Sequence, residues 1–219
     1  MAPGRRPPPP SSHAAARLRG DTWLVARPGG GESLAFGQLG ASQAGARVTY
    51  AVDAARRIAL SARLSTPLSG HGREAAVGVD WQPTRLPVHL LVEERLPLDS
   101  GSAEPAVALI GGAAVRLPLR ITLETYAQGG AVHRRGAFAD GSARLSHALL
   151  RRHAVAMDVG AGVWGAAQRD ASRFDIGPEL GVTLPVRGAT VRLAVDYRRR
   201  VGGRARPGSG PALVLGGSF

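Results

Sequence analysis

The sequence predicts an all-β protein whose strands form an antiparallel, up-and-down transmembrane β-barrel of about 12 strands, within a range of roughly 10 to 12. Apolar and polar residues alternate over most of the chain after residue 20, and turn-forming residues separate the alternating segments at nearly even spacing. The polar faces also carry charges of both signs. We expect a disordered, Pro- and Arg-rich tail or linker at 1–20 and the barrel domain at 21–219.

The tail has no periodicity and does not have the composition of a signal peptide. Arg5 and Arg6 precede four prolines, where a signal peptide would have an apolar segment. Because a membrane barrel has to be exported, we expect that the chain lacks its true start, through a misassigned initiation site or truncation. The tail would then connect the barrel to a periplasmic or envelope partner or to upstream domains.

The segment from Thr190 to Arg200 illustrates the alternation best. One face holds Val191, Leu193, Val195 and Tyr197, and the other holds Thr190, Arg192, Ala194, Asp196, Arg198 and Arg200. A helix would mix the two sets, whereas a strand separates them. The sequence therefore predicts a two-faced strand here.

The same separation recurs along the chain, starting with a first strand at Thr22 to Arg27. The apolar faces of the following segments contain Ile58, Leu60 and Leu64; Val77, Val79 and Trp81; Val88, Leu90 and Val92; Val107, Leu109 and Val115; Ile121 and Leu123; Val155, Met157, Val159 and Val163; and Ile176, Leu180, Val182 and Leu184. At roughly sixteen residues per strand and turn, this spacing fits membrane strands of about 9–11 residues with short connections.

Turn signals lie between these segments. They are Asp53–Arg56, Ser69–Gly72, Asp99–Ser102, Arg135–Gly136, Asp140–Gly141, Arg187–Gly188 and Pro207–Gly210. The segment 143–157 fits a helix as well as strands, and we favour two strands with a turn at Arg151–Arg152. Pro178 removes one ladder hydrogen bond from its strand, so we expect a bulge or a strand start there.

The formal charge of +12 comes entirely from arginine, since the chain has no lysine. The arginines are spread over turns, the tail and alternate strand positions, whereas a nucleic-acid surface would concentrate them on one face. We therefore expect no nucleic-acid partner. The chain has no cysteine, which excludes disulfides, thiolate metal sites and thiol catalysis.

Two-faced strands also build soluble β-sandwiches, in which the apolar face is the core. The mixture of small residues and opposite charges on the polar face favours a barrel interior, where charges must neutralise one another. The residues predicted to line the lumen are Arg63, Asp80, Glu93, Arg120, Glu124, Asp158, Glu179, Arg192, Asp196 and Arg198. With Arg192, Arg198 and Arg200 in the lumen, a weak preference for anions would follow.

The last ten residues, Gly210 to Phe219, resemble the final strand of Gram-negative outer-membrane β-barrel proteins. In that family a terminal aromatic residue, with apolar residues on the same face, marks the strand for the barrel-assembly machinery. By this resemblance Leu213, Leu215 and Phe219 form the assembly signal. The resemblance implies an outer-membrane location, with outer-membrane lipid and lipopolysaccharide as partners. The subfamily stays open.

The motifs that could carry chemistry are weak. Gly160–Gly165 matches the GxGxxG pattern of dinucleotide sites, but the segment that follows is too short for the required helix. The histidines lack metal-ligand spacing. Ser146 and His147 are adjacent in a strand and point to opposite faces, so they cannot act as nucleophile and base. We expect no catalytic residue, no cofactor site and no metal site.

The leading hypothesis is thus a non-enzymatic outer-membrane barrel that acts as a narrow pore, an export conduit or a structural envelope protein. One alternative is a barrel hydrolase, which needs Ser, His and an acid at one rim. Another is a soluble β-sandwich module that binds polyanions. Arginine groups at Arg134–Arg135, Arg151–Arg152 and 198–200 fit solvated turns, or contacts with anionic head groups.

Overall fold

The computed structural model describes residues 17–28, 42–152, 155–186 and 188–219, and within these ranges the chain forms twelve β-strands and no helix. The strands are β1 Leu18–Ala26, β2 Gln43–Ala51, β3 Ile58–Pro67, β4 Glu74–Trp81, β5 Val88–Pro97, β6 Glu104–Leu117, β7 Ile121–Val132, β8 Gly136–Arg152, β9 Val155–Gln168, β10 Ala171–Val186, β11 Ala189–Gly203 and β12 Gly210–Ser218. The described ranges thus contain no helix long and apolar enough to cross a membrane.

The strands close into a single antiparallel barrel. Each strand pairs with its neighbour in sequence, and β1 pairs with β12 to complete the ring. At this seam Leu24 lies opposite Leu215, and Gly20 and Phe219 exchange two backbone hydrogen bonds of 3.1 and 3.0 Å. The predicted all-β, up-and-down barrel of about 12 strands is confirmed. β1 begins at Leu18, slightly ahead of the expected domain start.

The outer surface of this barrel is apolar and its interior is charged. Leu60 and Leu109 are 55% and 56% exposed on the outside, whereas Asp175 and Asp196 are 0% and 2% exposed inside. A soluble sandwich or barrel would bury the leucines and expose the carboxylates. Exposed leucines around a closed barrel instead match a lipid-facing band, so the soluble alternative does not fit the structure.

The strands differ in length around the ring. Strands β1 to β5 have 8–10 residues, close to the length that crosses the hydrocarbon layer. Strands β6 to β11 have 12–17 residues and therefore extend beyond that layer. The two ends are named here by their connections. The terminal end carries the chain termini and the β2–β3 turn, and the opposite end carries the β3–β4 and β7–β8 turns.

Two predicted turns are placed differently by the structure. Asp140–Gly141 lies inside β8, where Gly141 pairs with Ala127 of β7. A Cβ atom at Gly141 would lie 2.8 Å from the carbonyl oxygen of Tyr126, so this glycine permits close strand packing and does not mark a turn. Arg151–Arg152 also belongs to β8, so the chain reverses after it.

Pro178 lies inside β10, opposite Ala161 of β9, rather than at a strand start. The register shift of β10 against β11 falls between Phe174 and Asp175, on the N-terminal side of the proline. Towards β11, pairing is interrupted at Gly177 and Pro178 and resumes in the same register at Glu179. The missing amide is therefore accommodated by a local gap in the ladder, and the bulge expected at Pro178 is not found there.

Candidate functional site

The lumen is the candidate functional site, because the polar face of every strand converges there. All of the residues predicted to line it except Arg120 take part in an ion pair inside the barrel. They are Arg63, Asp80, Glu93, Glu124, Asp158, Glu179, Arg192, Asp196 and Arg198. Arg120 lies elsewhere. It is exposed in the β6–β7 turn, where Leu119 and Arg120 adopt left-handed backbone conformations with φ of 59° and 57°. This tight turn ends the alternation one residue before β7.

One ion-pair cluster lies near the opposite end of the barrel, on β3 to β6. Arg63 donates to Glu74 at 2.8 Å and to Glu93 at 2.9 Å. Arg95 donates to the same Glu93 oxygen at 2.8 Å. Arg135, from the β7–β8 turn, pairs with Glu104 and Glu74 and so ties this turn to the cluster.

A second cluster, centred on Asp175, was not foreseen from the sequence. Its carboxylate is fully buried and accepts hydrogen bonds from Arg173, from Arg200 at 3.0 Å and from Arg27 at 3.3 Å. Arg27 directly follows β1, so the cluster joins the end of β1 to β10 and β11, with β12 between β1 and β11 in the ring. Alternation places Asp175 on the polar face, but it cannot indicate which arginines from distant strands meet it.

A third cluster lies towards the terminal end on β7 to β11. Arg192 binds Asp158 through both terminal nitrogens, at 2.7 and 2.8 Å, and also donates to Glu179 at 2.6 Å. Arg144 donates to Glu179 at 2.9 Å and pairs with Glu124. Bidentate arginine–carboxylate geometry of this kind fixes both side chains in one arrangement.

A smaller cluster on β2, β4 and β5 joins Arg47, Asp80 and His89. Arg47 donates to Asp80 at 2.7 Å and to the Ser61 hydroxyl at 3.0 Å, and the His89 Nδ1 lies 2.6 Å from the other Asp80 oxygen. The Ser61 hydroxyl binds Arg47 and not His89, and among the described residues no hydrogen bond joins a serine to a histidine. Ser146 faces the interior and the adjacent His147 faces outward, as expected for a strand.

These clusters place nearly equal numbers of opposite charges in the lumen. The arginines are Arg27, Arg47, Arg63, Arg95, Arg135, Arg144, Arg173, Arg192, Arg198 and Arg200, and the carboxylates are Asp21, Glu74, Asp80, Glu93, Glu104, Glu124, Asp140, Asp158, Asp175, Glu179 and Asp196. The described lumen residues therefore contribute little to the net charge of +12. Arg192, Arg198 and Arg200 are all neutralised by carboxylates, which removes the basis for an anion preference.

Described residues line two cavities in the lumen. The central chamber has a volume of about 530 Å³ and is lined by residues from both sides of the ring, among them Trp23, Arg47 and Asp140. The terminal chamber has a volume of about 280 Å³ and is lined by Glu124, Arg144 and Arg192 among others.

Four residues line both chambers and so form the constriction between them: Tyr126, Ser142, Trp164 and Arg198. Asp196 accepts two hydrogen bonds from Arg198, at 3.0 and 2.8 Å, and the guanidinium lies 4.4 Å from the centre of the Trp164 ring. Trp164 in turn lies against Gly162, where a Cβ atom would come within 2.5 Å of the indole. The constriction is thus held in place on both sides.

The GxGxxG segment is part of this wall and not a nucleotide site. Gly160 to Gly165 lie within β9, with no helix after them, and Gly160 pairs with Glu179 of β10. A Cβ atom at Gly160 would lie 2.2 Å from the Leu145 carbonyl oxygen, so close packing against β8 requires glycine. The described residues also contain no cluster of metal-ligating side chains.

The residues of the expected assembly signal lie together on the outer surface of β12. Leu213 and Leu215 point outward and are exposed, as is Phe219. The Phe219 ring covers Gly20 of β1, so closely that a Cβ atom at Gly20 would lie 2.2 Å from it. Phe219 therefore covers the seam at the terminal end of the barrel.

No known protein family and no curated protein matches the chain. Among solved structures it is similar to the NanC porin, with 9% identity over 91% of this chain and 98% of that one and a TM-score of 0.46. It is also similar to the beta domain of the Bordetella autotransporter BrkA, with 11% identity over 92% of this chain and 97% of that one and a TM-score of 0.41. For the outer membrane protein OpdK from Pseudomonas aeruginosa the identity is 14%, the coverage 81% and 56%, and the TM-score 0.34.

The class of the protein follows from its own geometry. A closed antiparallel ring of twelve strands, with an apolar exterior and a charged interior, is the fold of an outer-membrane β-barrel protein.

Proposed function

We propose that this chain resides in the outer membrane and acts there as a narrow, non-enzymatic pore for small polar solutes. The observation that carries the proposal is the pair of chambers in the lumen, about 530 and 280 Å³ in volume, separated by a constriction of a few side chains. Charged and amide groups on their walls hydrate well, which favours water and polar solutes over apolar ones.

The outer-membrane location is supported by the closure of the barrel, which leaves no strand edge with unpaired backbone amides. Only a closed barrel or a helix satisfies every backbone amide inside hydrocarbon. Here the ring has no free edge and its exterior carries leucine, valine and isoleucine. Bacterial outer membranes are where single-chain barrels with an even number of strands occur.

The proposed pore is narrow because a barrel of this size encloses little more than its own side chains. Arginines project into it from most strands, and Trp164 and Arg198 reduce the passage between the chambers further. An export conduit for a folded or bulky cargo would need a wider lumen. A solute that fits the central chamber is therefore of the size of a metabolite.

The absence of an enzymatic role is part of the proposal. Lumen carboxylates at Glu93, Asp158 and Asp175 are bound by guanidinium groups, which leaves them unsuited to act as general bases. The barrel hydrolase alternative also needs a serine activated by histidine, and the described residues contain no such contact.

From the outer-membrane location we also propose two kinds of partner. Exposed arginines at the opposite end, such as Arg73, Arg134 and Arg169, would face the lipopolysaccharide phosphates if this end points to the cell exterior. The seam formed by β12 and Phe219 would be presented to the barrel-assembly machinery.

The test is fractionation of cells that express the full gene, followed by conductance of the purified protein in planar bilayers. We expect outer-membrane enrichment, a folded band that shifts on boiling before gel electrophoresis, and small, steady currents in potassium chloride. A heat-modifiable, membrane-embedded protein without current would leave a structural barrel as the function, and a protein that purifies without detergent would contradict the membrane assignment itself.

A further inference from the structure

Asp140 differs from the arginine-bound carboxylates of the central chamber. It lies on β8, half-buried, and its only described partner is the side-chain amide of Gln128, which donates to it from β7. Glu74 and Glu93, by contrast, are bound by arginines. Asp140 thus offers a negative charge to the chamber that no guanidinium neutralises.

An aromatic ring accompanies this carboxylate. Gln128 pairs with Asp140 across β7 and β8, which makes Tyr126 a diagonal neighbour of Asp140 on the same face, with Cβ atoms about 7 Å apart. Tyr126 lines the same chamber and is 39% exposed. Phe138 and Trp164 also line the chamber, but each already carries a guanidinium on its ring, from Arg95 and Arg198 respectively. Trp23 lines the chamber as well, but from β1; of the rings on β7 to β9, the one left for a solute beside Asp140 is that of Tyr126.

A carboxylate beside an aromatic face and an amide is suited to an organic cation. The carboxylate supplies charge and the ring attracts the cation through its quadrupole, for quaternary and protonated amines alike. Where the cation carries an N–H group, the amide oxygen can also accept a hydrogen bond from it. Calcium or magnesium would need several oxygen ligands, and the described residues do not group three metal-ligating side chains anywhere. The chamber volume of about 530 Å³ is sufficient for a small ammonium compound.

We propose that Asp140, Tyr126 and Gln128 form a binding site for a small organic cation, an alkylammonium or amine, in the central chamber. This inference rests on the proposed function, because it names the class of solute that the pore would select. It treats the paired arginines and carboxylates as an electrically neutral wall. It assigns selectivity to Asp140, an unpaired carboxylate that has both an amide partner and a neighbouring ring.

The chain contains a matched control. Asp21 also lines the central chamber and makes no ion pair among the described residues, but it is exposed and has no amide partner there. Asp21→Asn and Asp140→Asn remove the same charge from the same chamber. Only the second removes the proposed site, so a difference between them separates binding from a general effect of charge.

The experiment is calorimetric titration of the full chain in detergent micelles with tetramethylammonium chloride, with potassium chloride as the reference. We expect saturable binding to the wild type. Asp140→Asn should weaken it about tenfold or more and Tyr126→Leu about fivefold, since each removes one of the two attractive groups. Asp21→Asn should change it less than about twofold. Retention of the heat-dependent gel shift verifies that each variant is folded.

Conductance in planar bilayers is recorded separately on the same variants. Loss of tetramethylammonium binding in Asp140→Asn, with binding retained in Asp21→Asn, supports the site even if no current flows, in which case only the pore function fails. No binding by the folded wild type, or equal binding by wild type and Asp140→Asn, overturns the site even if the currents are large.

Discussion

Asp175 illustrates how single residues organise the lumen. Its carboxylate is shared by Arg27, Arg173 and Arg200, which come from three different strands. A buried ion pair adds little stability relative to an apolar core, because desolvation offsets most of the attraction. Removing one partner is costly, since the charges left behind stay buried. The cluster therefore makes one arrangement of β1, β10 and β11 strongly preferred.

The first prediction concerns this carboxylate. Asp175→Asn leaves three guanidinium groups facing a neutral amide, so we expect a loss of roughly 3–5 kcal/mol in the free energy of unfolding. The measurement is urea unfolding in lipid vesicles followed by the heat-dependent gel shift. Asp99→Asn, outside the membrane span, serves as the control and should cost much less. Equal stability of Asp175→Asn and the wild type would contradict the importance of the cluster.

The second prediction concerns pH. Backbone N–H groups of Gly72 and Arg73 and the Arg73 side chain bind Asp99, which lowers the pKa of this carboxyl from 3.8 to about 2. A lowered folded-state pKa stabilises the fold above the unfolded value, near 3.8, and this contribution fades as the pH falls towards about 2. The contact joins the β3–β4 and β5–β6 turns.

We therefore expect protease cleavage at these two turns to increase between pH 4 and 2 in the wild type. In Asp99→Asn, cleavage should already be faster at neutral pH and should depend less on pH over this window. The measurement is limited digestion by an acid-stable protease, with the fragments identified by mass. Identical pH profiles of wild type and variant would refute the role of Asp99.

At the scale of strands, glycine is required where the backbone of the adjacent strand lies too close to leave room for a Cβ atom. A Cβ atom at Gly177 of β10 would lie 1.7 Å from the carbonyl oxygen of Tyr197, which belongs to the backbone of β11 and cannot rotate away. At Gly216 of β12 nothing lies within 4 Å of the same atom. Both glycines face the lumen, so they form a matched pair.

The third prediction follows from this pair. Gly177→Ala should force β10 and β11 apart at the gap beside Pro178 and cost roughly 1–3 kcal/mol, as overpacking does. Gly216→Ala should be close to neutral. Both are measured by urea unfolding in vesicles. If the Gly177→Ala protein is as stable as Gly216→Ala, the close contact between β10 and β11 at Gly177 is contradicted.

The seam between β1 and β12 closes the barrel, and Phe219 covers it at the terminal end. The fourth prediction is that Phe219→Ala lowers the yield of folded, heat-modifiable protein in the outer membrane, because the ring that covers Gly20 and the expected assembly signal are lost together. Tyr50→Ala, an exposed aromatic at the same end of β2, is the control. If refolding of purified Phe219→Ala in vesicles is normal while assembly in cells fails, the residue acts as a signal and not through seam packing.

For the whole molecule, alternation in the sequence is enough to predict the strand count, the antiparallel order and which residues face inward. Period-two patterns carry this information directly, since a strand has only two faces. The same reasoning wrongly predicts that Arg120 lines the lumen and that Asp140 and Arg151 lie in turns. At Asp140–Gly141 the reason is that a turn and a closely packed glycine look alike in a sequence.

Contacts across the lumen could not be predicted in the same way. Arg27 meets Asp175 although the two are far apart in the chain, and nothing in either strand specifies the other. The unpaired state of Asp140 and the constriction at Trp164 likewise depend on how side chains from several strands of the ring project inward. Knowledge of the ring's diameter and stagger is needed before such neighbours can be assigned.

The central claim is that the apolar faces contact lipid and the charged faces form the lumen. Because the chain has no cysteine, spin labels can be attached to single cysteines introduced one at a time from Val191 to Tyr197 of β11 in vesicle-embedded protein. We predict high oxygen accessibility at Val191, Leu193, Val195 and Tyr197, and low accessibility at Arg192, Ala194 and Asp196. A reversed pattern, or equal accessibility at all positions, would contradict the claim.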